Sequence, residues 1–111
     1  MNSLNRDKLS LRANVFKALS HPTRLFIVDE LAKESRCVGD LTKLIGADVS
    51  TVSKHLSVLK SAGIVRDEKR GMQVYYALQM PCVLSFSTCI EQVARESAEW
   101  HLELTREHVE H

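Results

Sequence analysis

Two sets of residues in this 111-residue chain carry chemistry. The first is a cluster of short hydroxyls around one cation: Ser50, Thr51, Ser53, Lys54 and Ser57. They decorate a helical stretch whose other side, Val49, Val52, Leu56 and Leu59, is an apolar stripe at i, i+3, i+7 and i+10. A helix that only had to stay soluble would more often carry Glu and Lys there, since both hold helix better than Ser or Thr. Short polar groups let a helix backbone approach closely, and base edges in a DNA major groove suit such an approach. The second set is three cysteines, Cys37, Cys82 and Cys89. Thiolates hold soft ions such as As(III), Sb(III), Cd(II) and Pb(II), or exchange with disulfides.

The elements that must position these groups are readable from periodicity and breaks. A first helix is predicted over Leu9 to Leu19, with Leu11, Val15, Ala18 and Leu19 on one face. Ser20-His21-Pro22-Thr23 is a stop and restart in which Ser20 or His21 caps a second helix over about 22–33. Its buried set is Leu25, Ile27, Val28, Leu31 and Ala32, and Glu34-Ser35-Arg36 is a polar connection. A short third helix follows from Val38 to Ile45, then a Gly46-Ala47-Asp48 turn. The hydroxyl-bearing fourth helix is capped by Asp48 or Ser50 and ends near Gly63. Two helices joined by a short Gly-containing turn form a helix-turn-helix, here about 38–62. Two strand-like runs around Arg70-Gly71 make a hairpin over about 64–78, whose basic tip, Lys69 and Arg70, suits a phosphate backbone.

A last helix is expected from about 81 to 106. Phe86, Ile90, Val93, Ser97, Trp100 and Leu104 form a heptad-like seam along it. A terminal helix must bury such a stripe, and pairing with a second copy, together with the first helix, is the economical solution. The fold class expected is thus mainly α with a β-hairpin: one winged helix-turn-helix domain over 1–111, dimeric through its first and last helices. His55 also has a second reading, as a half-buried residue supporting helix packing, because it precedes core Leu56.

The totals narrow the function classes. Hydrophobic residues make up 44% and charged ones 26%, the balance of a soluble globular chain, with no apolar run of membrane-span length. The N-terminus is too charged for a signal peptide, so free thiols in a reducing cytoplasm are expected. The overall charge is only +1, but from Ser50 to Met80 five cations face Asp67 and Glu68, a net +3. From Glu91 to His111 six glutamates face Arg95 and Arg106, a net −4. One end can therefore meet phosphates that the other avoids. No Cys-x-x-Cys, phosphate loop, Gly-x-Ser-x-Gly or His-Glu-x-x-His occurs, which argues against an enzyme. A winged helix that binds protein rather than DNA fits the +3 region less well.

Taken in order, Ala18-Leu19-Ser20-His21-Pro22-Thr23-Arg24-Leu25, Val38-Gly39-Asp40-Leu41, Ser50-Thr51-Val52-Ser53-Lys54-His55-Leu56, Leu59 through Val65 and Gly71 through Leu78 resemble the ArsR/SmtB family of metal- and metalloid-responsive winged-helix repressors. The resemblance spans about Leu11 to Leu78. It implies a homodimer on double-stranded operator DNA, with Ser50, Thr51, Ser53, Lys54 and His55 at the DNA and Lys69 and Arg70 in the wing. It needs no cofactor to bind DNA. It further implies an inducer that binds away from DNA and favours a dimer geometry unsuited to the half-sites, a coupling of typically about 1–3 kcal/mol or more.

The family's arsenic- and cadmium-sensing members read Cys-Val-Cys-Asp-Leu where this chain reads Cys37-Val38-Gly39-Asp40-Leu41. One thiol is kept and one is glycine. Cys37 falls at a helix N-terminus, where thiolate is stabilised. A Cys37, Cys82 and Cys89 trithiolate would suit As(III) or Sb(III), or a thiophilic Cd or Pb ion. Cys82 and Cys89 are seven apart, about 10.5 Å of helical rise. Two thiolates on one ion lie within about 4 Å, so both join Cys37 only where the chain near Pro81 is not regular helix; otherwise one helix cysteine is a spectator, or the site draws thiols from both subunits. The family's zinc-sensing ligands are absent early in the last helix, at Gln79-Met80-Pro81-Cys82, and His101, His108 and His111 read as a solvated tail. The persulfide-sensing pattern lacks its cysteine in the second helix, at Ile27-Val28-Asp29. A thiol-redox switch through Cys82 or Cys89 is the alternative to metalloid release.

Overall fold

The computed structural model describes the backbone of residues 2–110 and the side chains of residues 2–99. Eight elements follow one another: α1 (Ser3–Leu19), α2 (Pro22–Lys33), β1 (Arg36–Cys37), α3 (Val38–Ile45), α4 (Val49–Ser61), β2 (Val65–Arg70), β3 (Gln73–Leu78) and α5 (Cys82–Glu110). They fall into two compact units, 1–81 and 82–111. The first unit holds the winged helix-turn-helix and the second holds the last helix.

In the first unit the helix ends are set by local chemistry. Asn2 caps α1, its side-chain oxygen accepting the Asn5 N–H at 2.9 Å. The helix therefore starts six residues before the predicted Leu9. Leu4 and Leu11 are 61% and 69% exposed, so burial periodicity says little about this start. The His21 ring caps α2, with Nδ1 accepting from the Thr23 N–H at 3.1 Å and Pro22 in the first turn. Gly46 ends α3 at φ 78°, a left-handed conformation that glycine adopts without steric cost. Asp48 then caps α4, accepting from the Thr51 N–H and the Ser50 hydroxyl, each at 2.8 Å.

The core of this unit is Ala18, Ile27, Val28, Leu31, Leu41, Val52, Leu56, Leu59, Ile64 and Val65. Three expected core positions lie outside it: Val49 is 57% and Leu25 38% exposed, and Ala32 is exposed too. Glu30 is buried instead, paired with Lys33 at 3.0 Å and Arg36 at 3.2 Å. That pair ties α2 to β1, which the sequence left as a polar connection. Two residues are too few for a strand pattern, and the partner is distant: Arg36 sits opposite Tyr76 and Cys37 opposite Tyr75.

The sheet is antiparallel in the order β1-β3-β2. Its hairpin closes through Gly71-Met72, with Arg70 opposite Gln73. Gly71 takes φ 63° and Met72 no positive φ, the pattern of a type II′ turn that matches strand twist. Only Val65 of β2 is buried, so the hairpin is anchored at its base and extends into solvent. The second unit is one continuous helix. Phe86, Ile90 and Val93 are 51%, 67% and 55% exposed along it. The side chains of Trp100, His101, Leu104 and His108, and all of His111, lie outside the described residues.

Candidate nucleic-acid interface

α4 is divided as its sequence demands. Val52, Leu56 and Leu59 are fully buried, and Ser50, Thr51, Lys54 and Ser57 are exposed, with Ser53 half-buried. Asp48 does more than cap. The Thr51 N–H, then the Ser50 hydroxyl, hold its carboxyl below the ordinary carboxylate range. The first turn is thus pinned from outside while the stripe pins it from inside, and the exposed groups sit on a fixed frame.

His55 stands on the same helix as these groups. Its Nδ1 accepts from Arg24 Nε at 3.2 Å, and its ring lies 4.5 Å from that of His21. The imidazole is half-buried and engaged with α2 through Nδ1, in keeping with its packing reading. Burial, then the neighbouring His21 and Arg24, push its pKa down from the ordinary histidine value. Arg24 was not anticipated. It also donates from Nη1 to the Ala18 carbonyl at 3.2 Å, joining the end of α1 to α2 and α4. Its only sequence signal is its place three residues after His21, on the first turn of α2.

The cations are not equally available. Lys60 Nζ binds Asp67 at 2.9 Å, tying the end of α4 to β2. That bond raises the Lys60 pKa and lowers that of Asp67. At the hairpin tip Arg70 pairs with Glu68 at 3.2 Å and lies over the Tyr75 ring, 4.8 Å from its centroid. Lys69, opposite Val74, has no ion-pair partner among the described residues. Lys54, Lys69 and Arg70 are all exposed.

Cys37 stands at the N-cap of α3 with extended backbone, and its side chain makes no capping hydrogen bond. A Cβ built on Gly39 would lie 3.8 Å from the Cys37 Sγ. Cys82 and Cys89 are exposed on α5, which is regular helix from Cys82 onward. The irregular chain needed for both thiols of one protomer to reach one ion is not there. Among the described residues no three His, Cys, Asp or Glu side chains are grouped to hold a metal, and no helix is long and apolar enough to cross a membrane.

Comparison with known proteins agrees with this architecture. The family description "Bacterial regulatory protein, arsR family" matches residues 21–67. The transcriptional repressor SdpR of Bacillus subtilis is 38% identical over 65 residues, 59% of this chain and 72% of that protein. A Staphylococcus aureus homolog of CadC, a cadmium resistance transcriptional regulatory protein, is 45% identical over 67 residues, 60% of this chain but 55% of that protein. Among solved structures, a homodimeric winged helix-turn-helix DNA-binding domain from Mycobacterium bovis, described as a possible ArsR-family regulator, superposes with TM-score 0.77. It is 31% identical, over 89% of this chain and 92% of that one. The motif order, the three-stranded wing sheet and these matches agree: the chain belongs to the arsR family of bacterial regulatory proteins.

Proposed function

We propose that this chain is a homodimeric transcriptional repressor. It binds operator DNA with α4 in the major groove and the β2–β3 hairpin on the backbone, and a thiophilic inducer, As(III) foremost, releases it. The observation that carries the DNA reading is the split of α4. Its buried Val52, Leu56 and Leu59 hold a rigid frame from which Ser50, Thr51, Ser53 and Lys54 reach base edges and phosphates. Lys69 and Arg70 supply wing contacts.

The dimer reading rests on apolar exposure. Ile90 and Val93 on α5, and Leu4 and Leu11 on α1, are more than half exposed. A single long helix has no core of its own and buries such a stripe by association. The M. bovis domain, matched over most of both chains, is homodimeric.

For release, the candidate donors are Cys37, Cys82 and Cys89. Because α5 is regular, Cys82 and Cys89 of one protomer stand about 10.5 Å apart along its axis and do not share an ion. A three-thiolate site therefore draws on two protomers. The test is duplex binding in excess reductant with As(III) added, on the native chain and on Cys37→Ser, Cys82→Ser and Cys89→Ser. Loss of release in Cys37→Ser and in both α5 variants supports the three-thiolate site, and loss in Cys37→Ser and one α5 variant alone makes the other helix cysteine a spectator. Undiminished release in all three overturns it. Release that needs an oxidant and reverses with reductant would establish the thiol-redox alternative instead.

A further inference from the structure

The Arg24–His55–His21 cluster is an arrangement the DNA-contact reading does not use. Three helices converge on Arg24: it starts on α2, donates to the Ala18 carbonyl at the end of α1 and donates to His55 on α4. Both histidines use Nδ1 as an acceptor, His55 from Arg24 and His21 from the Thr23 N–H that it caps. In each ring the accepting Nδ1 carries no proton. A proton on the Nδ1 of His55 would set a donor against a donor and a cation against the guanidinium. A proton on His21 would undo the α2 cap. The rings are 4.5 Å apart, so charging both adds repulsion.

We propose that this cluster positions α4 for DNA, and that it holds only while both imidazoles are neutral, so that acidification weakens operator binding. The inference rests on the DNA-binding reading for its affinity arm alone. Among the described residues the charged groups acting on the His55 ring are His21 and Arg24, both at the start of α2. α1, α3 and β2, also packed on α4, set no charge against it among those residues. Burial and these two neighbours depress the His55 value below its ordinary 6.5. A histidine so depressed binds fewer protons folded than unfolded. Its contribution is whole above 6.5 and is lost as pH falls through 6.5 toward the folded-state value.

The direction separates this role from direct contact. A histidine touching phosphate gains charge in acid and tightens binding, whereas a latch that needs neutral rings loosens. The experiment measures affinity for a duplex selected in vitro on the protein itself, from about pH 7.5 to about pH 5, together with thermal unfolding of the DNA-free protein over the same range. His55→Asn keeps an acceptor near the Nδ1 position, and His21→Asn keeps a strong N-cap; neither titrates. The native chain is expected to lose affinity on acidification by up to about tenfold per pH unit for each proton taken up, once below the folded-state value. Both variants are expected to show a shallower slope. Affinity that rises in acid, or variants whose slope equals the native one, would overturn the proposal. If no duplex is selected at the higher pH, the DNA reading fails. The unfolding arm then decides for the cluster: a melting-temperature gap between native chain and His55→Asn that changes toward acid supports it, and a constant gap refutes it.

Discussion

Lys69 and Lys60 are both exposed lysines near the wing, yet alanine should weaken DNA binding at the first position and leave it nearly unchanged at the second. Lys69 has no ion-pair partner among the described residues, whereas Lys60 is bonded to Asp67 at 2.9 Å. A phosphate that recruited Lys60 would have to break that bond and leave Asp67 facing the backbone. Arg70 is bonded to Glu68 as Lys60 is to Asp67. Counting the unbonded Lys54 and Lys69 from each protomer of the proposed dimer, about four phosphates are neutralised, and log K should fall with log salt at a slope of about −3.6. Between about 50 and 200 mM salt that is a loss of affinity of about 10²-fold. Lys69→Ala removes about two contacts per dimer, so the slope becomes about −1.8 and the loss about tenfold. Lys60→Ala should leave the slope near the native value. Fluorescence anisotropy on a fixed duplex across a salt series reads both numbers. If Lys60→Ala flattens the slope as much as Lys69→Ala, the reasoning that a bonded lysine is withheld from DNA is wrong.

Asp48→Ala should lower the melting temperature near neutral pH. The native advantage should fade as pH falls through the carboxylate range, because the depressed pKa of Asp48 is a stabilisation that protonation removes. A cap-independent role would instead give a constant gap between the two melting curves. Gly39→Cys puts a Cβ 3.8 Å from the Cys37 sulfur. It should bind Cd(II) with a thiolate-to-metal absorption band stronger than that of the native chain, and an unchanged band would mean the two sulfurs do not converge. Glu30→Ala leaves Arg36, whose Nε is already buried without a partner among the described residues, with only the exposed Glu34 carboxylate at 3.4 Å. Chemical denaturation should show a loss of about 1–3 kcal/mol.

What was legible in the sequence was what neighbouring residues decide. The ends of α2, α3 and α4 follow from Pro22, Gly46, Asp48 and Gly63, each acting within one turn. The hairpin was legible because Gly71 needs a positive φ that few other residues adopt. What escaped depends on distance along the chain. β1 exists because Tyr75 and Tyr76 lie opposite it, about forty residues on. Glu30 is buried because Arg36 meets it, and a glutamate on a helix reads as solvated until that partner is known. His55 lies within the hydroxyl cluster by sequence, and only its hydrogen bond with Arg24, 31 residues away, turns it inward. The cysteines are the extreme case, because Cys37 belongs to one compact unit and Cys82 and Cys89 to the other.

The energetics of α4 also constrain how a repressor of the proposed kind could let go of DNA. Detaching the helix would expose Val52, Leu56 and Leu59, all fully buried. At about 1.5–3 kcal/mol for each such side chain, that costs about 5–9 kcal/mol. A ligand-driven coupling is typically about 1–3 kcal/mol. An inducer of that strength cannot melt the helix, so it must act where rearrangement is cheaper. The wing is one such place, since Val65 alone of β2 is buried. The contact between two protomers is the other, because small shifts there change the separation of the two α4 helices without disturbing either core. Half-sites on DNA lie about one helical turn apart, some 34–36 Å, and two rigid helices tolerate little error in that spacing. Thiols on α5, a helix other than α4, suit a signal that leaves α4 intact.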